Sequence, residues 1–405
     1  MKPPPPELFA RVRSLPAAAP LLEALGDGTG VYLVGGAVRD LLLGGAPVDL
    51  DLVVEGDPST IAARLGSAVR AHDRFGTATV VGGGFAYDIA RARRERYARP
   101  GALPDVAPAS LAEDLTRRDF TVNAIAVALS GQAPGELHAV PAALADLCAG
   151  RLRVLHDASF RDDPTRLLRM ARYASRLAFT VEPHTLALAR RAVGDGAIAT
   201  VSGARVGAEL RLAAREGDPL AAFACLHALS LDTAVDPRFG IADPALARRA
   251  VALLPADGRR DRLVLALASR EVPPGELSAL LSALAFEAGD RDAIVAAATR
   301  ARALARALER AQRPSEIAAA AAGAGPELVA LAGAMGPERP AREWLQCLRQ
   351  VALEIDGAAL LDAGIPQGPA VGRGLRAALA AKLDGRASGP EAELAAAVAA
   401  ASGSG

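Results

Sequence analysis

Asp49 and Asp51 are the residues of this chain whose spacing most directly suggests chemistry. They flank Leu50 within residues 48–54, where acids alternate with Leu50, Leu52 and Val53, a pattern that predicts a strand. On a strand, positions i and i+2 share a face, so the two carboxylates converge on one spot. Unrelieved, they repel. A divalent cation resolves the conflict, and Mg2+ takes such oxygen ligands together with substrate phosphates. A bare pair of this spacing usually marks a solvated face, but this one lies in an apolar strand ten residues after Arg39. Asp88, in Ala86-Tyr87-Asp88-Ile89-Ala90, sits on a further predicted strand and is a candidate third carboxylate, with a plain surface aspartate as the competing reading.

Three other segments supply groups that suit a phosphate or a base. In Leu33-Val34-Gly35-Gly36-Ala37-Val38-Arg39-Asp40 a predicted strand stops at two glycines and turns into a helix. Such a turn lets backbone N–H groups approach a phosphate, and Arg39 follows one turn in. The alternative is a tight turn that needs glycine for its dihedrals. Leu115-Thr116-Arg117-Arg118-Asp119-Phe120-Thr121-Val122-Asn123-Ala124 packs polar groups densely beside the apolar run 125–129. That density predicts a buried network or a ligand wall, or else a helix start capped by Asp119 or Thr121. In Arg161-Asp162-Asp163-Pro164-Thr165-Arg166-Leu167-Leu168-Arg169-Met170-Ala171-Arg172-Tyr173, Asp163 before a proline predicts an N-cap, and Arg166, Arg169, Arg172 and Arg176 share a broad helix face. Four arginines with so few acids are a poor balance for a merely solvated face.

The elements around these groups divide the chain. A helix is expected near residues 8–25 and strands at 31–34, 48–54, 77–81 and 86–90; from Asp163 onward the periodicity is helical. Aromatics are only 3% of the 405 residues and alanine recurs through the second half, which predicts small side chains on closely packed helices. The net charge is zero, so no global field draws the chain to a polyanion. Locally, residues 161–215 hold ten arginines against five acids and residues 91–118 seven against four, and these neighbouring stretches are where a polyanion would bind. The only lysines are Lys2 and Lys382, and the arginine bias reads first as biased coding. Cys148, Cys225 and Cys347 lack zinc or disulfide spacing and fit a reducing, cytoplasmic setting. Neither secretion nor membrane insertion is expected.

Taken together, in this order, Gly35-Gly36-Ala37-Val38-Arg39-Asp40, the Asp49/Asp51 pair, the stretch 117–124 and the stretch 162–173 resemble the class II CCA-adding enzymes and bacterial poly(A) polymerases of the DNA polymerase beta nucleotidyltransferase superfamily. The resemblance continues in residues 201–210 and, faintly, in 364–372. It implies an α+β chain, seahorse-like, with a nucleotidyltransferase head of mixed β-sheet followed by an all-α neck, body and tail. The corresponding segments would be an N-terminal helix at 1–28, head 29–150, neck 151–215, body 216–345 and tail 346–405. It further implies that Gly36, Arg39 and Arg118 contact the nucleotide, that Asp49 and Asp51 hold Mg2+, and that Asp163, Arg166, Arg169 and Arg172 line the base and phosphate pocket. Residues 91–106 match the family's flexible loop. Two departures stand out: Asp162-Asp163 replaces the usual Glu-Asp, and residues 137–143 lack the aspartate and paired glycines usual before the neck, which puts that turn in question. A metal phosphohydrolase domain is excluded, since His227 is the only histidine after His184.

The activity so implied is transfer of CMP or AMP from CTP or ATP to the 3′ end of RNA, foremost tRNA. A poly(A) polymerase or an enzyme adding only CC or only A is the near alternative. A non-catalytic RNA-binding protein is the alternative of a different class, disfavoured by the intact carboxylate pair. A small-molecule nucleotidyltransferase is disfavoured by the long helical second half.

Overall fold

A computed structural model of the chain describes residues 5–25, 30–47, 49–72 and 76–403. They form two compact units, one running up to Glu209 and including Cys225–Val235, the other made of Leu210–Ala224 and the chain from Asp236 onward.

The first unit is built on a seven-stranded mixed sheet. Its strands are β1 (Val31–Val34), β2 (Leu50–Val54), β3 (Ser67–His72), β4 (Thr77–Gly82), β5 (Phe85–Arg91), β8 (Ile125–Ala128) and β9 (Leu137–Ala139), while β6 (Arg93–Arg96) and β7 (Asp105–Pro108) pair as a separate hairpin. The order across the sheet is β3-β4-β5-β2-β1-β8-β9. Only β2 and β5 run parallel, with Asp51 opposite Asp88 and Leu50 opposite Tyr87. Pleating divides β2 as its sequence demands: Leu50, Leu52 and Val54 are buried on one face and Asp51 is exposed on the other. Val53, on the Asp51 face, packs with Leu111 and Leu115 of α5 (Leu111–Thr116). That helix is held by a capping box between Ser110 and Glu113 and covers the far end of the strand, leaving the Asp51 end open. On the opposite face Tyr87 is fully buried and donates its hydroxyl to the Ala17 carbonyl at 2.7 Å.

The helix expected near 8–25 is two helices, α1 (Pro5–Arg13) and α2 (Ala18–Ala24). Pro16 explains the break: it offers no N–H, and its ring pushes Leu15 away from helical dihedrals. Strand β2 starts at Leu50, so Asp49 lies in the bend before the strand and not on it, and the expected first strand residue, Val48, lies outside the described residues. Helical periodicity after Asp163 has one exception, β11 (Thr180–Val181), which pairs in parallel with β10 (Arg151–Leu152).

Helices α3 (Gly36–Leu42) and α4 (Pro58–Leu65) follow β1 and β2, α6 (Ala143–Cys148) follows β9, and α7 (Ser159–Asp162), α8 (Thr165–Leu177), α9 (Pro183–Gly194) and α10 (Gly203–Ala214) come after. A closed circuit of side chains ties α8 to α3 through the 3-10 turn Thr121–Asn123. Arg169 donates to Asp119 Oδ2 at 2.7 and 2.9 Å, Asn123 Nδ2 donates to Asp119 Oδ1 at 3.0 Å, and Arg39 donates to Asn123 Oδ1 at 2.5 Å. Arg39 also donates to Asp40 Oδ1 at 2.9 Å, and Arg176 of α8 closes the ring on Asp40 Oδ2 at 3.3 Å.

Helices joined by turns are the only regular elements of the second unit among its described residues after Asp236. Its longest helix, Ala288–Arg310, buries Ile294, Ala297, Ala301, Leu304, Ala305 and Leu308, the alanine-rich stripe that the composition foretold. No helix among the described residues is long and apolar enough to cross a membrane.

The turn in question at 137–143 is present without its glycines. Ala142 takes φ +65°, ψ −15° and starts α6, whose buried Asp146 accepts from Thr121 Oγ1 and Arg153 Nε, both at 2.9 Å. A left-handed alanine costs about 1 kcal/mol that glycine avoids. Ala142→Gly is therefore expected to raise the melting temperature by roughly 2–4 °C in a thermal scan.

The Asp119 carboxyl gives a second test. Burial alone would raise it, but the Arg169 charge, with hydrogen bonds from Asn123 and Arg169, outweighs that and holds it at about 2. A depressed carboxyl stabilises the fold above its ordinary range near 4, and the stabilisation disappears as pH falls toward 2. It amounts to about 2 kcal/mol at neutral pH, of which about 1 kcal/mol is gone by pH 3. In urea unfolding, the gap between wild type and Asp119→Asn should narrow by about that 1 kcal/mol between pH 7 and pH 3.

Candidate active site

A cleft of about 860 Å³ opens where β1 ends and β2 begins. Strand β1 runs antiparallel to β2 with Leu33 opposite Leu52, which brings the turn after Val34 beside Asp51. Gly35 makes that turn at φ +69°, donates its N–H to the Ile125 carbonyl, and lies so close to Arg118 that a Cβ would meet Nη1 at 2.9 Å. Here glycine serves both the dihedral and the close approach. Gly36 opens α3 and lines the cleft with Arg39.

Asp49 and Asp51 are both exposed into this cleft, and neither has an ion-pair or hydrogen-bond partner among the described residues. Partial burial, then the charge of Asp88, raises the Asp51 carboxyl; Arg118 pulls the other way and Asp49 adds to the rise. Such unrelieved repulsion is what a divalent cation removes, so the pair fits one. No group of three or more His, Cys, Asp or Glu among the described residues gathers as a self-sufficient ion cage. The remaining ligands would therefore be substrate oxygens and water, which suits Mg2+. Asp88 faces an adjoining hollow of about 360 Å³ together with Asp51, Thr77 and Thr79, and accepts from Thr79 Oγ1 at 2.6 Å.

The opposite wall is cationic. The guanidinium carbons of Arg39, Arg169 and Arg172 lie 5.4, 5.4 and 4.9 Å from the centre of the Tyr173 ring, which meets Phe120 edge-on. Asp119 and Glu209 balance Arg169, and Glu209 also pairs with Arg172 at 3.3 Å. Arg118 differs from these: its Nη2 donates to buried Asp114, but its buried Nε has no partner among the described residues. A buried donor left so is costly unless a ligand takes it.

Farther along, α8 begins with an acid and a guanidinium side by side. Asp163 Oδ1 accepts from Thr165 N (3.1 Å), Thr165 Oγ1 (2.6 Å) and Arg205 Nη2 (2.7 Å), while Oδ2 has no partner among the described residues. Arg166 is 5% exposed and is held by Ser159 Oγ and the Arg117 carbonyl, both at 2.7 Å. Asp163 thus caps the helix with one oxygen and keeps the other available.

Of the residues singled out in the sequence, the cleft brings together Gly36, Arg39, Asp49, Asp51, Arg118, Asp163, Arg166 and Arg169. Arg172 does not line it; it packs behind Tyr173 on Glu209. Asp88 sits in the adjoining hollow. Sequence reasoning passed over Tyr173, Asn123 and Tyr97. Tyr173 follows Arg169 by four positions on a helix, a spacing that could have flagged it. Tyr97 is the one aromatic among the arginines of 91–99; burial and the neighbouring Glu95 carboxylate push its phenol well above the ordinary value, so it stays a neutral donor to Glu95.

Residues 31–153 match the poly A polymerase head domain. An A-adding tRNA nucleotidyltransferase of Halalkalibacterium halodurans is 44% identical over 206 residues, 49% of this chain and 48% of the relative. A CC-adding tRNA nucleotidyltransferase of Deinococcus radiodurans is 41% identical over 204 residues, 49% of this chain and 54% of the relative. The aligned stretch spans between 23% and 54% of the length of these curated relatives and their like. The solved structure of the Thermotoga maritima CCA-adding enzyme complexed with tRNA superposes with a TM-score of 0.76 at 28% identity, over 97% of this chain and 98% of that one. Residues 31–153 thus carry a poly A polymerase head domain, and in motif order and fold the chain is similar to CCA-adding enzymes.

Proposed function

We propose that the protein is a template-independent nucleotidyltransferase that adds CMP, AMP or both from CTP and ATP to the 3′ end of tRNA. The observation that carries this is one cleft that brings together a carboxylate pair without partners among the described residues, the Arg118 guanidinium and, beyond them, the Asp163/Arg166 pair. The names of the relatives and the solved complexes with tRNA, CTP and ATP support it. In this reading residues 29–150 are the catalytic head, 151–215 the neck, 216–345 the body and 346–405 the tail. The exposed, unpaired Cys148 and Cys347 suit a cytoplasmic enzyme.

Asp49 and Asp51 hold Mg2+, with Asp88 beside them. When bound, the metal polarises the phosphoryl oxygens and offsets the charge that develops on the entering and leaving groups. Gly36 and Arg39 border the triphosphate, and the Arg118 guanidinium, which lines the cleft, donates to one of its oxygens. The 3′-hydroxyl oxygen forms a bond to the α-phosphorus as the bond to pyrophosphate breaks and the hydroxyl proton is lost to water, and the side chains contribute position and fixed charge without a covalent intermediate. Asp163 Oδ2 accepts the exocyclic amine of cytosine or adenine and the Arg166 guanidinium donates to the ring acceptor beside it. Uracil and guanine would set a carbonyl oxygen against the carboxylate, a repulsive contact.

Incubating tRNA that lacks its CCA end, and tRNA ending in CC, with CTP and ATP separately and together reads out the product and distinguishes CCA, CC, A and poly(A) addition. Asp49→Ala and Asp51→Ala are each expected to lower incorporation at least ~100-fold while leaving the folded state intact, since each removes an exposed ligand. Near-wild-type turnover by either would remove the catalytic assignment. Asp163→Ala is expected to weaken selection against UTP and GTP by ~10- to 100-fold, the discrimination typical of one bidentate contact. Loss of a cap alone would cost about 1 kcal/mol of stability and leave the base preference as it was.

A further inference from the structure

We infer that Arg176 binds the terminal phosphate of the incoming nucleoside triphosphate, exchanging its ion pair with Asp40 for that phosphate, so that α8 holds the nucleotide at both ends. The inference rests on the reading of the cleft as a nucleotide site.

Seven arginines line the cleft, and Arg176 is the most open of them. Its side chain is 43% exposed, against 31% for Arg169 and less for the other five. It is also the least firmly held of those on the helix side. Arg39 bonds to both Asp40 and Asn123, Arg166 to both Ser159 and the Arg117 carbonyl, and Arg169 to both Asp119 and Glu209. Arg176 has one partner among the described residues, Asp40 Oδ2 at 3.3 Å. Asp40 does not depend on it, since Arg39 pairs with the same carboxylate at 2.8 Å. Withdrawing Arg169 would leave the nearly buried Asp119 without its charge partner, whereas withdrawing Arg176 strands no charge. The bonds from Arg169 through Asp119 and Asn123 to Arg39 still join α8 to α3 when it lets go. A half-exposed ion pair contributes little, and a phosphate offers the same guanidinium two oxygens and more charge. Arg176 is thus the cation of this wall that can change partner at low cost.

Its place along α8 says which phosphate it meets. Arg166, beside Asp163 at the base-reading end, comes ten residues before Arg176, about 15 Å along the helix axis. An extended nucleoside triphosphate covers a comparable distance from its base edge to its last phosphorus. Arg169, Tyr173 and Arg176 follow one another at steps of four and three residues, so they share a face, and all three line the cleft. Asp40 directly follows Arg39, so Arg176 meets α3 one residue past the arginine that borders the triphosphate. The phosphates held there depart as pyrophosphate, and the same residue therefore binds that product.

The test is calorimetric titration of wild type, Arg176→Ala and Arg176→Lys with CTP, ATP, CDP, ADP and inorganic pyrophosphate in the presence of Mg2+, with folding checked by thermal unfolding. For Arg176→Ala the expected result is a ~10-fold or greater fall in the preference for each triphosphate over its diphosphate, with a similar loss of pyrophosphate affinity. Arg176→Lys should recover part of both, because a charge remains. In incorporation into tRNA the KM for CTP and ATP should rise together while selection against UTP and GTP stays as it was, which separates this role from that of Asp163. A purely structural Arg176 would weaken triphosphate and diphosphate equally, and that outcome overturns the inference. If wild type binds CTP or ATP and a folded Arg176→Ala binds it and pyrophosphate equally well, the inference alone fails. If wild type binds neither CTP nor ATP, the reading of the cleft fails and the inference with it.

Discussion

The ion pair between Asp119 and Arg169 is the contact on which the rest of the cleft depends. It joins a turn of the sheet region to α8 across fifty residues of sequence, with a nearly buried carboxylate on one side and a two-bonded guanidinium on the other. Pairs of this kind contribute little net stability when weighed against apolar replacements, but breaking one leaves an uncompensated charge and costs several kcal/mol. Its value is directional. From Asp119 the bonds pass through Asn123 to Arg39 and from Asp40 back to Arg176, so each side chain in the circuit restrains the next. Rotation of α8 about its axis would break several of these bonds at once, which is why Asp163 and Arg166 at its start keep a constant relation to Gly36 at the start of α3.

A chain with no net charge still makes a strongly polarised cleft by sorting its charges. Among the described residues the carboxylates of Asp49 and Asp51 stand without partners on the sheet side, while the helix side sets Arg39 and Arg169 against one tyrosine ring, with Arg172 behind it. The ring faces accept these cations, which Asp40, Asp119 and Glu209 pair and hold in place. Both walls are thus left wanting a ligand that is anionic toward the arginines and brings a cation to the carboxylates. A nucleoside triphosphate with its divalent metal is such a ligand, and neither half of it would be sufficient alone. The raised Asp51 carboxyl, which the neighbouring Arg118 charge only partly offsets, is that incompleteness on the sheet side.

Much of this was legible from residue types and spacing, and what was not legible has physical causes. Alternation along residues 50–54 revealed β2 and the outward Asp51, because a pleated strand enforces the period. It could not show that Asp49 precedes the strand, since acid-x-acid spacing looks the same in a bend. The glycine pair marked a turn, but that Gly35 also makes room for Arg118 involves a contact between positions 83 residues apart. The partners of the arginines were likewise hidden: Asn123 for Arg39, Asp119 for Arg169 and Gly101 for Arg205 are all distant in sequence. Arg172 shares a helix face with Arg169 by spacing alone, yet packing turns it behind Tyr173. The missing glycines before α6 raised doubt about a turn that forms regardless, because Ala142 accepts a left-handed conformation which the buried Asp146 contacts beyond it can offset.

The arginine bias takes on a different meaning once the bonds are traced. Biased coding explains why arginine is abundant, but it does not explain where the forks point. Arg39 joins Asp40 to Asn123, Arg166 joins Ser159 to the Arg117 carbonyl, Arg169 joins Asp119 to Glu209, and Arg205 joins Asp163 to the Gly101 carbonyl. Each guanidinium bridges two acceptors on different segments in a plane that its own geometry sets, which a single ammonium cannot do. A protein that selects a base without a template strand must supply the stiffness that a paired strand would otherwise provide. Planar forks anchored at both ends provide that stiffness, and a cleft walled by them can hold Asp163 Oδ2 and the Arg166 guanidinium as a fixed complementary edge.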